Sequence, residues 1–200
     1  MTRTEDDDVD DAAVISGSLR EPERFAVLFH RHGPHIHRYL ARRLGREVAE
    51  DLLGETFLAA FHRRDRYDTS RPDARPWLYG IATHVVGQHR RDEVRRYRLR
   101  DAVPAELDEA CHADRVAADV TSQALRRHLL AALGDLSTGD RDVLLLVAWE
   151  ELSYEEVAAA LAIPVGTVRS RLNRARRKVR ETLGATEPMT TIGEVLSSGR

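Results

Sequence analysis

The stretch Ser153–Arg180 most restricts what this chain can fold into. Ser153 with Glu156 three residues on is the signature of a capping box, and it opens a helix that runs to about Ala162. Val157, Ala158 and Leu161 form its inner face, and Ala158, Ala159 and Ala160 are small enough for a second helix to cross closely. After a short turn at Ile163, Pro164 opens that second helix, which ends near Leu183. Val165, Val168, Leu172, Ala175 and Val179 recur at helical spacing and supply the opposing face. Arg169, Ser170, Asn173, Arg174 and Arg177 point outward. A steep helix crossing with an exposed Arg/Ser/Asn face suits a DNA major groove. Arginine and asparagine can read guanine and adenine edges with paired hydrogen bonds. A basic helical face is often only a solvated one, but this polar pattern beside an alanine-rich partner favours DNA. Base contacts come mainly from the start of such a helix, so Lys178 and Arg180, further along, suit phosphates.

The net charge of −2 hides a strong segregation. Residues 164–181 hold six arginines and Lys178 against one acid, a net of +6, and residues 84–100 hold six arginines against two acids, a net of +4. Residues 1–24 and 101–122 are each −5. Two basic blocks set apart by acidic ones imply two polyanion contacts on one chain.

Scarce proline (7) and glycine (12), short β-branched runs and abundant Ala, Leu, Arg and Glu predict an all-α chain. Its 200 residues suffice for two small helical domains. Residues 1–20 lack periodicity and read as a disordered acidic tail. Phe25, Leu28, Phe29, Ile36, Tyr39 and Leu40 mark a first helix, with a kink or break expected at Gly33-Pro34. A second helix is expected over about 47–64, with Glu50, Asp51 and Glu55 on its polar face, and a third over about 76–98. The first domain is therefore bounded at 21–98. Residues 99–120 read as a flexible acidic linker. Residues 121–184 form the second domain, with helices around Leu125–Leu136 and over 140–151 before the helix pair, and residues 185–200 are a tail.

The segment Ser153-Tyr154-Glu155-Glu156-Val157-Ala158 through Pro164-Val165-Gly166-Thr167-Val168-Arg169-Ser170-Arg171-Leu172-Asn173-Arg174-Ala175-Arg176 resembles region 4 of the extracytoplasmic-function (ECF) group of sigma-70 family RNA polymerase sigma factors. In that family the domain reads the −35 promoter element. Ala49-Glu50-Asp51-Leu52-Leu53-Gly54-Glu55-Thr56-Phe57 is similar to region 2.2, whose acidic face docks on the polymerase β′ subunit. The resemblance therefore assigns Glu50, Asp51 and Glu55 to polymerase binding. Arg75-Pro76-Trp77 through His89-Arg90-Arg91 resembles regions 2.3 and 2.4; in the family this helix and the loop before it open the −10 element and hold an unstacked non-template base. Single-stranded DNA needs aromatic surfaces and a basic track. Trp77, Tyr79, His84 and His89 offer rings, and Arg90, Arg91, Arg95 and Arg96 offer charge. The family often has asparagine where His84 stands, which puts the −10 base preference, not the fold, in question.

The resemblance covers about residues 21–184. It implies a factor that binds core RNA polymerase (β and β′ subunits) and promoter DNA and directs transcription initiation. An anti-sigma factor is a further partner that it allows. The alternative is a helix-turn-helix regulator that binds duplex DNA without polymerase; it would lack a reason for the 77–91 block beside the acidic face of Asp51.

No P-loop, GxSxG, HExxH or dinucleotide fingerprint occurs, so no catalytic residue and no cofactor are expected. His30, His32, His35 and His37 cluster, and His32 and His35 could share an ion, but no metal site is expected without cysteine partners. The single cysteine, Cys111, allows no internal disulfide and reads as incidental. No apolar run approaches the roughly 18 residues of a membrane span, and the acidic N-terminus is unlike a signal peptide. A cytoplasmic protein is expected.

Overall fold

The computed structural model describes residues 9–100 and 128–184, and the chain divides into two compact units, Met1–Ala113 and Asp114–Arg200. Among the described residues all regular structure is helical, as composition predicts.

In the first unit α1 spans Asp11–Ser18, α2 Ala26–Leu44, α3 Arg46–Arg63 and α4 Arg75–Arg100, with single 3-10 turns at Pro22–Phe25 and Arg64–Arg66. Helices α2, α3 and α4 pack against one another around Leu28, Ile36, Leu40, Leu52, Phe57 and Leu78, all buried. Gly45 alone joins α2 to α3. Its φ of 87° lies in the left-handed region, and its amide closes α2 by donating to the Ala41 carbonyl at 2.9 Å.

Of the kink or break expected at Gly33-Pro34, the break does not occur: helix α2 runs through it. Leu28 before the proline, and Ile36 and Tyr39 after it, are all fully buried, and their burial outweighs the proline cost of roughly 3 kcal/mol. Residues 11–18 of the supposed tail are a helix. Asp10 caps it by accepting from the Ala13 amide at 2.7 Å, and Ala12, Val14 and Ile15 are buried against the domain. The segment is too short for periodicity to show, and its flanking acids mask its apolar content.

In the second unit, residues 128–134 are helical (α5), followed by α6 over Thr138–Ala148, α7 over Tyr154–Leu161 and α8 over Val165–Gly184. The buried Arg141 of α6 caps the end of α5. Its guanidinium donates to the carbonyls of Leu133 (2.7 Å), Gly134 (2.6 Å) and Leu136 (3.2 Å). The capping box at Ser153 and Glu156 is formed, and Ala162 ends α7 in a left-handed conformation with φ 51°. Helices α6 and α7 both pack on α8 through Val168, Leu172, Ala175 and Val179, all buried. The sequence-expected linker beyond residue 100, Cys111, the Leu125 end of the helix expected around Leu125–Leu136 and the 185–200 tail lie outside the described residues.

Candidate nucleic-acid interface

Helix α8 turns two separate rows of cations in different directions. At about 100° per residue, Arg169, Asn173, Arg177 and Arg180 fall within about 80° of arc. All four are exposed, and Ser170 flanks them. The second row is Arg171, Arg174 and Lys178, and it faces the α5–α6 turn. Arg174 stands 3.5 Å from the buried Asp140 carboxylate, and the Lys178 ammonium donates to the Asp135 carbonyl. A Cβ on Gly139 would lie 2.8 Å from Arg171 Nη1, so that guanidinium rests on the turn. Sequence spacing put Arg174 with the outward group and Lys178 among phosphate contacts. The fold draws both toward the turn, because acceptors at 135 and 140 sit beside them. Arg177 pairs weakly with Glu181 at 3.7 Å, both strongly exposed, and stays available.

Helix α4 carries a second stripe. Trp77, His84, Gln88, Arg91 and Arg95 fall within about 60° of arc. The last four are exposed and Trp77 is half-buried, its ring meeting the edge of Tyr67 at 5.0 Å. Arg91 and Gln88 are joined at 3.2 Å. Tyr79 is a correction. Two residues from Trp77, it points about 200° away, is 1% exposed, and packs edge-on against Tyr39 at 5.3 Å. It offers no stacking face and belongs to the core. Arg90 is half-buried and lies about 140° round from Trp77. His89 is paired with Glu93 at 3.5 Å. Gln88 was missed because an amide at one exposed position carries no pattern of its own.

On α3, Glu50, Asp51 and Glu55 are exposed opposite the buried stripe of Ala49, Leu52, Thr56 and Phe57. Leu58, two turns beyond Asp51, is 57% exposed on the same side, so the acidic face has an apolar element that the sequence did not single out.

The loop before α4 is held in a way invisible in sequence. Asp11, 3% exposed, accepts from His32 Nε2 at 2.7 Å, from the Ala74 amide at 2.8 Å and from Arg31. Burial pushes the Asp11 carboxyl up, but the His32 and Ala74 hydrogen bonds, the His32 charge and the Arg31 contact outweigh it and leave it below the usual carboxylate range. Burial, and then the charge of Asp11, push the Tyr67 phenol upward. Asp68 is held low by Ser70 and Arg71. Of the clustered histidines, His32 thus serves Asp11, and His35 pairs with Arg38 at 2.9 Å. Asp11, His32 and Asp73 bring ligand atoms within 4.8 Å of one another. A cation would have to displace the donors that already satisfy Asp11 and lie beside the Arg31 charge, so the set does not fit one.

Residues 28–96 match the family description sigma-70 region 2, and residues 126–179 match sigma-70, region 4. The chain belongs to the ECF group of sigma-70 family sigma factors. It is 39% identical over 168 residues to the RNA polymerase sigma factor CarQ of Myxococcus xanthus, covering 82% of this chain and 92% of that one. It is 34% identical over 175 residues to the ECF RNA polymerase sigma factor SigL of Mycobacterium tuberculosis, covering 86% and 96%. Among solved structures, CnrH in complex with the cytosolic domain of CnrY shares 28% identity at a TM-score of 0.59, covering 88% of this chain and 99% of that one. This sigma factor therefore carries its acidic α3 face and its α4 stripe within the region 2 match, and Arg169, Asn173 and Arg177 of its α8 row within the region 4 match, with Arg180 one residue beyond it. No helix among the described residues is long and apolar enough to cross a membrane.

Proposed function

We infer that this sigma factor binds core RNA polymerase through the α3 face of Asp51, Glu55 and Leu58, flanked by Glu50. It takes single-stranded −10 DNA along Trp77, His84, Gln88, Arg91 and Arg95, and reads the −35 duplex with Arg169, Ser170, Asn173 and Arg177. The unit that begins at α1 and ends near residue 98 acts as region 2, and residues 121–184 act as region 4. The observation that carries the assignment is the pair of exposed stripes of different chemistry. One mixes aromatic, amide and cationic groups, as a single strand requires. The other is arginine and asparagine on a helix crossing a partner helix, as a major groove requires. The polymerase supplies catalysis, and the factor acts where the polymerase is, in the cytoplasm. CnrH is in complex with the cytosolic domain of CnrY, which supports a further protein partner for this chain; we assign that place to an anti-sigma factor.

The test is reconstitution with core polymerase, followed by run-off transcription on genomic fragments. Transcripts that start at defined sites only when the factor is added are expected. Duplex binding without any effect on transcription would return the chain to the class of plain helix-turn-helix regulators. Within that assay, Asp51→Lys should weaken core binding while leaving the circular dichroism spectrum unchanged, because an exposed helix charge contributes little to stability. Unchanged affinity for core would remove α3 from the docking surface.

A further inference from the structure

Asp11 does more than stabilise α1. Three groups converge on its carboxylate: Arg31 and His32 from α2, and the Ala74 amide from the residue just before α4. Its own amide donates to the Pro72 carbonyl at 3.0 Å. One residue therefore fixes both sides of the peptide segment 72–74. The other end of the loop is also fixed, since the Tyr67 hydroxyl donates to the Arg71 carbonyl at 2.6 Å and the Tyr67 ring is buried. Between these two anchors the exposed residues are tied to one another. Asp68 accepts from the Ser70 amide at 3.1 Å, from the Ser70 hydroxyl at 2.6 Å and from Arg71 Nε at 3.2 Å. Trp77 follows within the first turn of α4, with its ring against Tyr67.

We propose that Asp11 is a positioning residue for DNA reading: it clips the 67–74 loop to α2 and so sets the register of that loop and of Trp77 toward the single-stranded −10 segment. This rests on the assignment of the α4 stripe to −10 DNA. The clip suits the task because a loop that selects one unstacked base must be in place before the base arrives. Groups held within about half an ångström select, and looser ones merely bind. A carboxylate accepting both a backbone amide and two side-chain donors is a stiff joint, since moving the loop would leave a buried charge with fewer partners. Ile15 offers a built-in control. It lies in the same helix as Asp11 and is 1% exposed, so Ile15→Ala weakens the packing of α1 while leaving the Asp11 carboxylate and its partners in place.

The experiment uses holoenzyme reconstituted from full-length protein and a fork-junction DNA, built on a promoter found by run-off, whose single-stranded −10 segment is randomised. Bound DNA is sequenced, at a temperature where circular dichroism shows each variant folded. Wild type is expected to select a base at one or more −10 positions. Asp11→Ala should lower affinity for the selected fork about tenfold and flatten the preference at the positions nearest the loop, with −35 duplex selection and core affinity unchanged. Ile15→Ala should lower the melting temperature yet keep the wild-type base profile. An Asp11→Ala profile that matches wild type overturns the proposal while leaving the −10 assignment standing. Equal flattening in Ile15→Ala also overturns it, since the effect would then be one of stability. If wild type itself selects no base, and Trp77→Ala changes nothing, the −10 assignment and the clip fall together.

Discussion

Arginine count alone misjudges the recognition helix, because what decides a cation's role is whether a protein acceptor has already claimed it. Arg169 is exposed near the start of α8, with Asn173 one turn on. Arg169→Ala should cost about 1–3 kcal/mol on a matched −35 element and relax preference at one position. Lys178 is tied to the Asp135 carbonyl, so its replacement should leave the salt dependence of binding unchanged. Arg180→Ala, from the outward row, should flatten that dependence by about one unit. Binding to a randomised −35 library at two salt concentrations separates the three; uniform loss of affinity with Arg169→Ala would mean the helix is seated differently. Asp11 gives a second residue-scale test. Its carboxyl is lowered in the fold, so its contribution to stability is complete above the unfolded value of about 3.9 and is lost as pH falls through the lower folded value. Urea midpoints of wild type and Asp11→Asn should therefore differ at pH 6 and begin to draw together as pH falls below about 4. A gap that stays constant down to pH 3 would show that the charge of Asp11 is not what stabilises the joint.

Among the elements, α1 has the widest consequence for its size. Val14 and Ile15 are 5% and 1% exposed, and burying two such side chains is worth about 1.5–3 kcal/mol each. Deleting residues 1–18 should thus lower the unfolding free energy by about 3 kcal/mol or more, read as a fall in urea midpoint. Were these residues a solvated tail competing for DNA, deletion would leave stability alone and raise DNA affinity at low salt. Helix α5 depends in a similar way on a neighbour, since Arg141 of α6 satisfies three carbonyls at its end. This couples the turn facing α8 to the core of its unit, and that turn holds the second cationic row.

At the scale of the whole molecule, the two stripes proposed to meet DNA lie in separate compact units. Arg91 is joined to Gln88 in its own unit, so the effects of substitutions in the two stripes on promoter binding should add. Arg91→Ala and Arg169→Ala, measured singly and together in holoenzyme on one promoter, should sum to within about 0.5 kcal/mol. A coupling well beyond that would show that occupancy of one element alters the other stripe.

Helical periodicity in 153–180 and 47–64 was long enough to disclose which faces are buried, so α3, α7, α8 and the outward Arg169, Ser170, Asn173 and Arg177 were legible before any coordinates. Caps with fixed spacing, such as Ser153 with Glu156, were legible for the same reason: both partners lie within one turn. What the sequence could not disclose were contacts between residues far apart along the chain. Asp11 meets Ala74 across 63 positions, and Lys178 meets the Asp135 carbonyl across 43. The same limit explains Tyr79, whose aromatic ring suits DNA by type but is committed to Tyr39 by packing. Local pattern determined the helices and their faces. Tertiary structure decided which polar and aromatic groups on those faces were already satisfied, because satisfaction depends on a partner that only folding brings near.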